Sequence, residues 1–160
     1  MPSADTDDTA RTQIVELMGR YFAAIDDKRL DLSIAESSFA PDGRIVRPNG
    51  TSLTGPHEIS RGQNESLARF RATHHVITDH VIDFEPDRAH VRANVVAMHL
   101  WAPGHGDPNS LNSYFVAGGV LSVDVVRLGD AWRITRLSNR AVWRAGSGYG
   151  QMAATGRQEI

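Results

Sequence analysis

Apolar residues in the first third of the chain recur at steps of three and four, the pattern of helices with one buried face. A first helix is predicted from about residue 9 to Asp26, with an apolar stripe made of Ile14, Leu17, Met18, Tyr21, Phe22 and Ile25. A shorter helix is predicted over residues 32–39. A third helix is predicted after Gly55-Pro56, because proline is favoured in a first helical turn.

Short turn and strand patterns separate the second and third helices. Pro41-Asp42-Gly43 predicts a turn, and residues 44–47 predict a short strand. Asn49-Gly50 predicts a hairpin turn that leads into a second short strand over residues 51–53.

After the third helix the period of the pattern changes to two, which predicts strands. Four long strands are expected, over residues 74–84, 89–101, 113–128 and 131–144. Helices followed by long consecutive strands predict an α+β domain, in which three N-terminal helices pack on one face of a curved antiparallel sheet. Such a sheet can enclose a cone-shaped pocket, although a fully filled core fits the same periodicity.

Composition describes an ordinary globular chain of 160 residues with a formal net charge of −2 and no cysteine. We expect a flexible leader over residues 1–8, a single domain over residues 9–145 and a flexible glycine-rich tail over residues 146–160. The charge argues against nucleic-acid binding, and no apolar run approaches the ~20 residues needed to span a bilayer. The acidic N-terminus is unlike a signal peptide. A cytoplasmic domain without a membrane partner is therefore expected.

Asp26 and His75 are the residues with the most concrete chemistry. An imidazole has an ordinary pKa near ~6.5 and passes protons at neutral pH. A carboxylate on one ring nitrogen fixes the tautomer and makes the other nitrogen a better base. Two structural alternatives stay open, since Asp26 also suits a solvated or capping residue and His75 suits a hydrogen-bonded core histidine.

The other histidines do not form a recognisable metal motif. His74 should point away from His75, because side chains alternate along a strand. His80, His90 and His105 lack HxH or HExxH spacing and are interpreted as surface or loop residues. We therefore predict neither a metal site nor a cofactor.

The order of the motifs resembles the SnoaL-like branch of the nuclear transport factor two-like superfamily, over about residues 9–145. The motifs are Tyr-x4-Asp, Pro-Asp-Gly, Gly-Pro-x-x-Ile, Thr-x-His and Gly-Asp-x-Trp-Arg-Ile. This resemblance implies a cone-shaped α+β barrel and a hydrophobic small-molecule substrate. It also implies association into a homodimer or homotrimer.

The resemblance assigns roles to four residues. Asp26 and His75 match the aspartate–histidine pair of the dehydratases in this branch, and Tyr21 matches an active-site tyrosine. His99 lies near a second pocket histidine if a one-residue gap is allowed between the strands. Tyr21 also suits the core. His99 lies on an apolar face, where an unpaired imidazole is costly to bury, so a partner or ligand is expected.

Two residues depart from the pattern of scytalone dehydratase, a member of this branch. Ile25 stands where that enzyme has a tyrosine before its aspartate. Arg47 lies near the place of a second substrate-polarising tyrosine, and a guanidinium cannot replace a phenol. Scytalone itself is therefore not the expected substrate.

These observations give two functional hypotheses. The first is a cofactor-independent acid–base enzyme (a dehydratase, cyclase or isomerase) acting on a hydrophobic oxygenated molecule such as a polyketide or steroid-like intermediate. Asp26 would orient His75, His75 would move the proton, and Tyr21 and His99 would bind substrate. The second is a non-catalytic ligand-binding or structural subunit, like the β subunit of ring-hydroxylating dioxygenases. Contact between Asp26 and His75 beside a cavity favours the first.

Overall fold

The computed structural model describes residues 4–104 and 113–148, which form three helices and six strands. The helices are α1 (Ala4–Asp26), α2 (Leu32–Ser38) and α3 (Pro56–Leu67). The strands are β1 (Phe39–Val46), β2 (Ser52–Thr54), β3 (Phe70–Glu85), β4 (Arg88–Trp101), β5 (Tyr114–Leu128) and β6 (Ala131–Gly146).

The six strands form one curved sheet in the order β2-β1-β6-β5-β4-β3. The α+β class, with N-terminal helices on a curved sheet, is therefore confirmed. The sheet is unclosed, so it is a cone with two free edges rather than a complete barrel. The prediction of a fully antiparallel sheet is wrong for one pairing, since β1 runs parallel to β6. The helical segment between β1 and β3 lets the chain cross to the far edge of the sheet.

The apolar stripe of α1 forms the centre of the core. Ile14, Met18 and Tyr21 are almost completely buried against the concave face of the sheet. Strand residues on that face include Val91 and Val123, which are also fully buried. A second small cluster of aromatic residues lies at one end of the sheet and consists of Phe70, Trp101 and Phe115.

The first helix starts earlier than the pattern predicts. It begins at Ala4, so residues 4–8 belong to α1 and not to a flexible leader. Asp7 and Asp8 lie in its first turns, where carboxylates interact favourably with the positive end of the helix dipole. Residues 1–3 of the predicted leader lie outside the described residues.

The first residues of the predicted tail belong to the sheet. Strand β6 continues to Gly146, and the Ser147 N–H donates to the Tyr114 carbonyl at 2.8 Å. The Trp101 indole N–H donates to the Ser147 carbonyl at 2.7 Å. Residues 146–148 are therefore held by the sheet, and residues 149–160 lie outside the described residues, as do His105 and most of the loop around it.

The turn predicted at Pro41-Asp42-Gly43 is wrong, because these residues lie inside β1. The register against β6 shifts between Phe39 and Arg44, so the three residues form a bulge. A β-carbon on Gly43 would lie 2.7 Å from the Ile134 carbonyl oxygen, and only glycine allows this close approach. By contrast, the Asn49-Gly50 hairpin is confirmed, with Gly50 at φ 86°.

Gly43→Ala tests this close approach. We expect the free energy of unfolding to fall by about 1–3 kcal/mol, since the new methyl group meets backbone that cannot rotate away. Urea denaturation followed by circular dichroism measures the change. Gly19→Ala is the matched control, because nothing lies within 4 Å of its added carbon. That helix substitution should stabilise the protein by up to about 1 kcal/mol. Equal stability of Gly43→Ala and wild type would contradict the bulge geometry.

Candidate active site

Asp26 and His75 are in direct contact. His75 Nδ1 lies 2.6 Å from Asp26 Oδ1, and the His75 backbone N–H donates to Asp26 Oδ2 at 2.8 Å. The Thr73 hydroxyl donates to Asp26 Oδ1, also at 2.8 Å. Because the carboxylate accepts the Nδ1 proton, the imidazole is held in the tautomer whose Nε2 carries the lone pair.

The end of α1 brings the carboxylate to β3. Lys28 adopts a left-handed conformation at φ 53° and so ends the helix. Its ammonium group donates to the Phe70 carbonyl at 2.6 Å, which ties the helix end to the first residue of β3. The Thr-x-His segment begins three residues after Phe70 in β3, and its side chains contact Asp26. The local sequence therefore positions both partners of the pair.

Asp26 stays ionised although it is largely buried. Burial is the largest influence on its pKa and raises it, but the hydrogen bonds from His75 and Thr73 and the charge of His75 together outweigh burial. The net effect is a pKa below the ordinary value for aspartate. An acidic residue at the negative end of a helix dipole is unfavourable, so these donors also compensate for its position.

His75 and His74 point to opposite faces of β3, as alternation predicts. The His75 side chain is 12% exposed and faces the interior, whereas His74 is exposed. Asp26 thus contacts His75 and not His74.

His90, interpreted as a surface residue, is half exposed and pairs with Asp124 at 2.7 Å.

A cavity of about 310 Å³ lies beside His75. Asp26 is not among its lining residues, so the carboxylate supports the imidazole from behind. Most of the lining is apolar, with contributions from α1, β1, β4 and β5. The polar side chains are Tyr21, Arg47, Asn49, Gln63, Ser66, Arg69, His75, His99, Asn139 and Arg144.

Tyr21 presents a neutral phenol to the cavity. Its hydroxyl oxygen accepts a hydrogen bond from Gln63 Nε2 at 3.0 Å. Burial raises its pKa well above the ordinary value, against smaller opposing effects of Gln63 and the Arg47 charge. The hydroxyl proton has no acceptor among the described residues, so it can be donated to a bound oxygen.

His99 is a neutral imidazole in an aromatic surrounding. Its ring stacks on Phe115 at 4.7 Å and lies 4.8 Å from Phe70 and 5.9 Å from the His75 ring. Nδ1 lies 3.3 Å from the Phe115 carbonyl oxygen, the hydrogen-bond partner that its burial requires. Burial, assisted by the nearby His75, lowers the pKa of His99 to about 4.

The structure places both departures from the dehydratase pattern on the cavity wall. Ile25 supplies apolar surface, and Arg47 donates to Ser66 Oγ at 2.9 Å. The sequence patterns did not identify the other polar residues of the cavity wall, which are Asn49, Gln63, Ser66, Arg69, Asn139 and Arg144. The available signal was weak, since Arg69 only stands out as a charge between Leu67 and Phe70.

No group of three or more potential metal-ligating side chains occurs among residues 4–104 and 113–148. In the same residues, no helix has both the length and the apolar character needed to cross a membrane.

The curved sheet with its N-terminal helices is the fold of the nuclear transport factor two-like superfamily. Within it the chain belongs to the SnoaL-like family, because the SnoaL-like domain matches residues 8–138. The resemblance inferred from the sequence motifs is therefore confirmed. No curated protein sequence matches the chain.

Solved structures share this fold over nearly the whole chain. The Kfla4162 protein of Kribbella flavida is 25% identical, with a TM-score of 0.81 over 92% of this chain and 99% of that one. A provisionally assigned scytalone dehydratase from Novosphingobium aromaticivorans is 21% identical, with a TM-score of 0.76 over 89% and 91%. Hexachlorocyclohexane dehydrochlorinase LinA-type3 from Novosphingobium barchaimii is 16% identical, with a TM-score of 0.73 over 89% and 94%.

The lowered pKa of His99 predicts a pH-dependent loss of stability. Below about pH 6.5 the His99 imidazole is protonated in the unfolded chain, whereas in the folded chain it stays neutral down to about pH 4. Stability should therefore fall between these values, at up to roughly 1.4 kcal/mol per pH unit for this group. Urea denaturation at pH 7 and pH 4.5 measures the loss.

His99→Gln should lose less stability over this interval than wild type, because it removes the titrating group. His57→Gln, a change at an exposed histidine on α3, serves as the control and should follow wild type. The same pH dependence in His99→Gln and wild type would contradict the assignment of a neutral buried imidazole.

Proposed function

We propose that this chain is a cofactor-independent acid–base enzyme, a dehydratase, cyclase or isomerase. Its substrate would be a hydrophobic oxygenated small molecule such as a polyketide or steroid-like intermediate. The observation that carries the proposal is the 2.6 Å contact between Asp26 and His75 at the wall of an apolar cavity. A carboxylate–imidazole pair in such a place can transfer protons at neutral pH without help from a metal or cofactor.

His75 Nε2 is the base in this mechanism. It removes a proton from a carbon next to a carbonyl group, and the electron pair of the broken C–H bond forms an enolate. Return of the proton to a departing β-hydroxyl releases water and leaves a double bond. Without a leaving group, return of the proton to another carbon gives isomerisation, and attack of the enolate on a second carbonyl gives an aldol-type cyclisation.

Tyr21 stabilises the enolate oxygen in this scheme. Its hydroxyl is protonated, because burial raises its pKa, and Gln63 orients its oxygen. A buried phenol aimed at a developing negative charge stabilises the transition state more than the neutral ketone. His99, neutral at physiological pH, adds a second polar contact for substrate on the aromatic side of the cavity.

The structural relatives support an elimination as the reaction. Dehydratases remove a proton and a hydroxyl group, and a dehydrochlorinase removes a proton and chloride. A scytalone dehydratase, by provisional assignment, and the hexachlorocyclohexane dehydrochlorinase share the fold of this chain. Both reaction types include abstraction of a proton from carbon, the step assigned here to His75.

The alternative, a non-catalytic or structural subunit, is less well supported. That role requires neither a cavity nor contact between Asp26 and His75, and this chain has both. The homodimer or homotrimer implied by the family stays a prediction. The outer face of the sheet exposes Val76, Val96 and Trp143, which are suitable for association between copies.

His75→Ala and Asp26→Asn test the proton transfer. Both should reduce exchange of the acidic C–H protons of 2-tetralone into deuterium oxide, which NMR measures directly. We expect a loss of roughly 10²–10⁴-fold for His75→Ala, which removes the base. Asp26→Asn should also lose most of the exchange, since an amide no longer enforces the productive tautomer.

His74→Ala is the matched control on the neighbouring residue. Its side chain is exposed on the other face of β3, so exchange should stay at the wild-type rate. Wild-type rates in both His75→Ala and Asp26→Asn would exclude the proposed base.

Tyr21→Phe tests the stabilisation of the enolate. The ring packs as before, but the hydroxyl donor is lost, so the exchange rate should fall by roughly 10²–10³-fold. Circular dichroism should show an unchanged fold. A rate equal to wild type would mean that Tyr21 is a core residue only.

A further inference from the structure

Two arginines are held side by side at the last turn of α3. Arg47 follows β1, and its Nη2 donates to Ser66 Oγ at 2.9 Å and to the Gly62 carbonyl at 3.1 Å. Arg69 precedes β3, and its Nε donates to the Ser66 carbonyl at 3.0 Å. Burial and the charge of Arg47 lower the pKa of Arg69, which shows that the two positive groups repel each other.

Arg47 keeps donors available for a ligand. A guanidinium carries five N–H groups, and among the described residues Arg47 donates to protein only through Nη2. Among the described residues, Asn139 Oδ1 is the only buried side-chain nitrogen or oxygen atom without a hydrogen-bond partner. The Arg47 nitrogens that make no bond to protein are therefore not buried. They are accessible to a ligand, because Arg47 lines the cavity.

The charged side chains that line the cavity are basic among the described residues. Arg47, Arg69 and Arg144 line it, and none of its described lining residues is an aspartate or glutamate. An adjoining surface groove shares Arg47 and Arg144, adds Arg140 and again has no acidic lining residue among those described. A concave surface lined by one sign of charge concentrates ligands of the opposite charge.

We propose that the substrate carries an oxyanion, a carboxylate or phosphate, that binds Arg47 beside Arg69 while its acidic C–H group faces His75. The planar fork of arginine pairs with either group through two parallel hydrogen bonds. The cavity volume of about 310 Å³ is at the small end of the ~300–1,000 Å³ usual for ligand sites. A cavity of this size holds a single small molecule, which therefore carries both the oxyanion and the reacting carbon.

This inference rests on the proposed function for the role of His75, but anion binding can be measured without turnover. Isothermal titration calorimetry with benzoate, phenyl phosphate and neutral benzamide tests it on the full chain. Wild type should bind at least one of the two anions, and benzamide at least ten-fold more weakly. Comparison of benzoate with phenyl phosphate decides which oxyanion the site prefers.

Arg47→Gln should weaken binding of the preferred anion by roughly ten- to hundred-fold, the usual effect of losing a charge-assisted hydrogen bond. Arg44→Gln is the matched control, because Arg44 lies on β1, is exposed and contacts Ser52 outside the cavity. Its affinity should equal that of wild type. If Arg47→Gln loses its circular dichroism spectrum, Arg69→Gln replaces it with the same expected direction.

Three results would overturn the proposal: equal affinity for benzoate, phenyl phosphate and benzamide, no saturable binding of either anion at millimolar concentration, or equal affinities of Arg47→Gln and Arg44→Gln. Asp26→Asn separates this proposal from the proposed function. Anion affinity retained in Asp26→Asn together with wild-type proton exchange would support the anion site and exclude the catalytic pair.

Discussion

The carboxylate of Asp26 joins the last residue of α1 to the first residues of β3, and the interior of the protein depends on this contact. Three donors from Thr73 and His75 converge on one partly buried charge. Loss of any donor would leave a charge that is costly to bury. The same three bonds hold the end of the helix against the strand and fix the tautomer of the imidazole. Fold and chemistry therefore cannot vary independently at this position.

Periodicity predicted most of the fold because burial imposes it. The stripe of α1 and the alternation along β4 follow directly from which side chains face the core. The residues Pro41-Asp42-Gly43 predict a turn but form part of a bulge, since both structures favour the same residue types. What decides between them is the carbonyl of Ile134, which lies in a strand about ninety residues later and cannot be inferred from local sequence.

The candidate site was predictable where residues follow a motif and not where they meet only in the folded chain. The motif positions point to four residues, and the structure gathers them around one cavity or directly behind its wall: Asp26, His75, Tyr21 and His99. The sequence marks Arg47 only as a departure from the dehydratase pattern, at the place of a tyrosine. Its association with Arg69 depends on Ser66, a residue that has no chemical pattern of its own. An isolated arginine at the end of a strand usually has a solvent-exposed side chain.

The parallel pairing of β1 with β6 makes completion of the cavity a late event in synthesis. Residues 39–46 leave the ribosome long before residues 131–146, yet both segments form one wall. Until the last strand arrives, Ile45 and its neighbours have no partner on that side, and the apolar interior stays open to water. Long-range closure of this kind slows folding relative to local pairing. This wall of the cavity therefore forms later in folding than the hairpins between neighbouring strands.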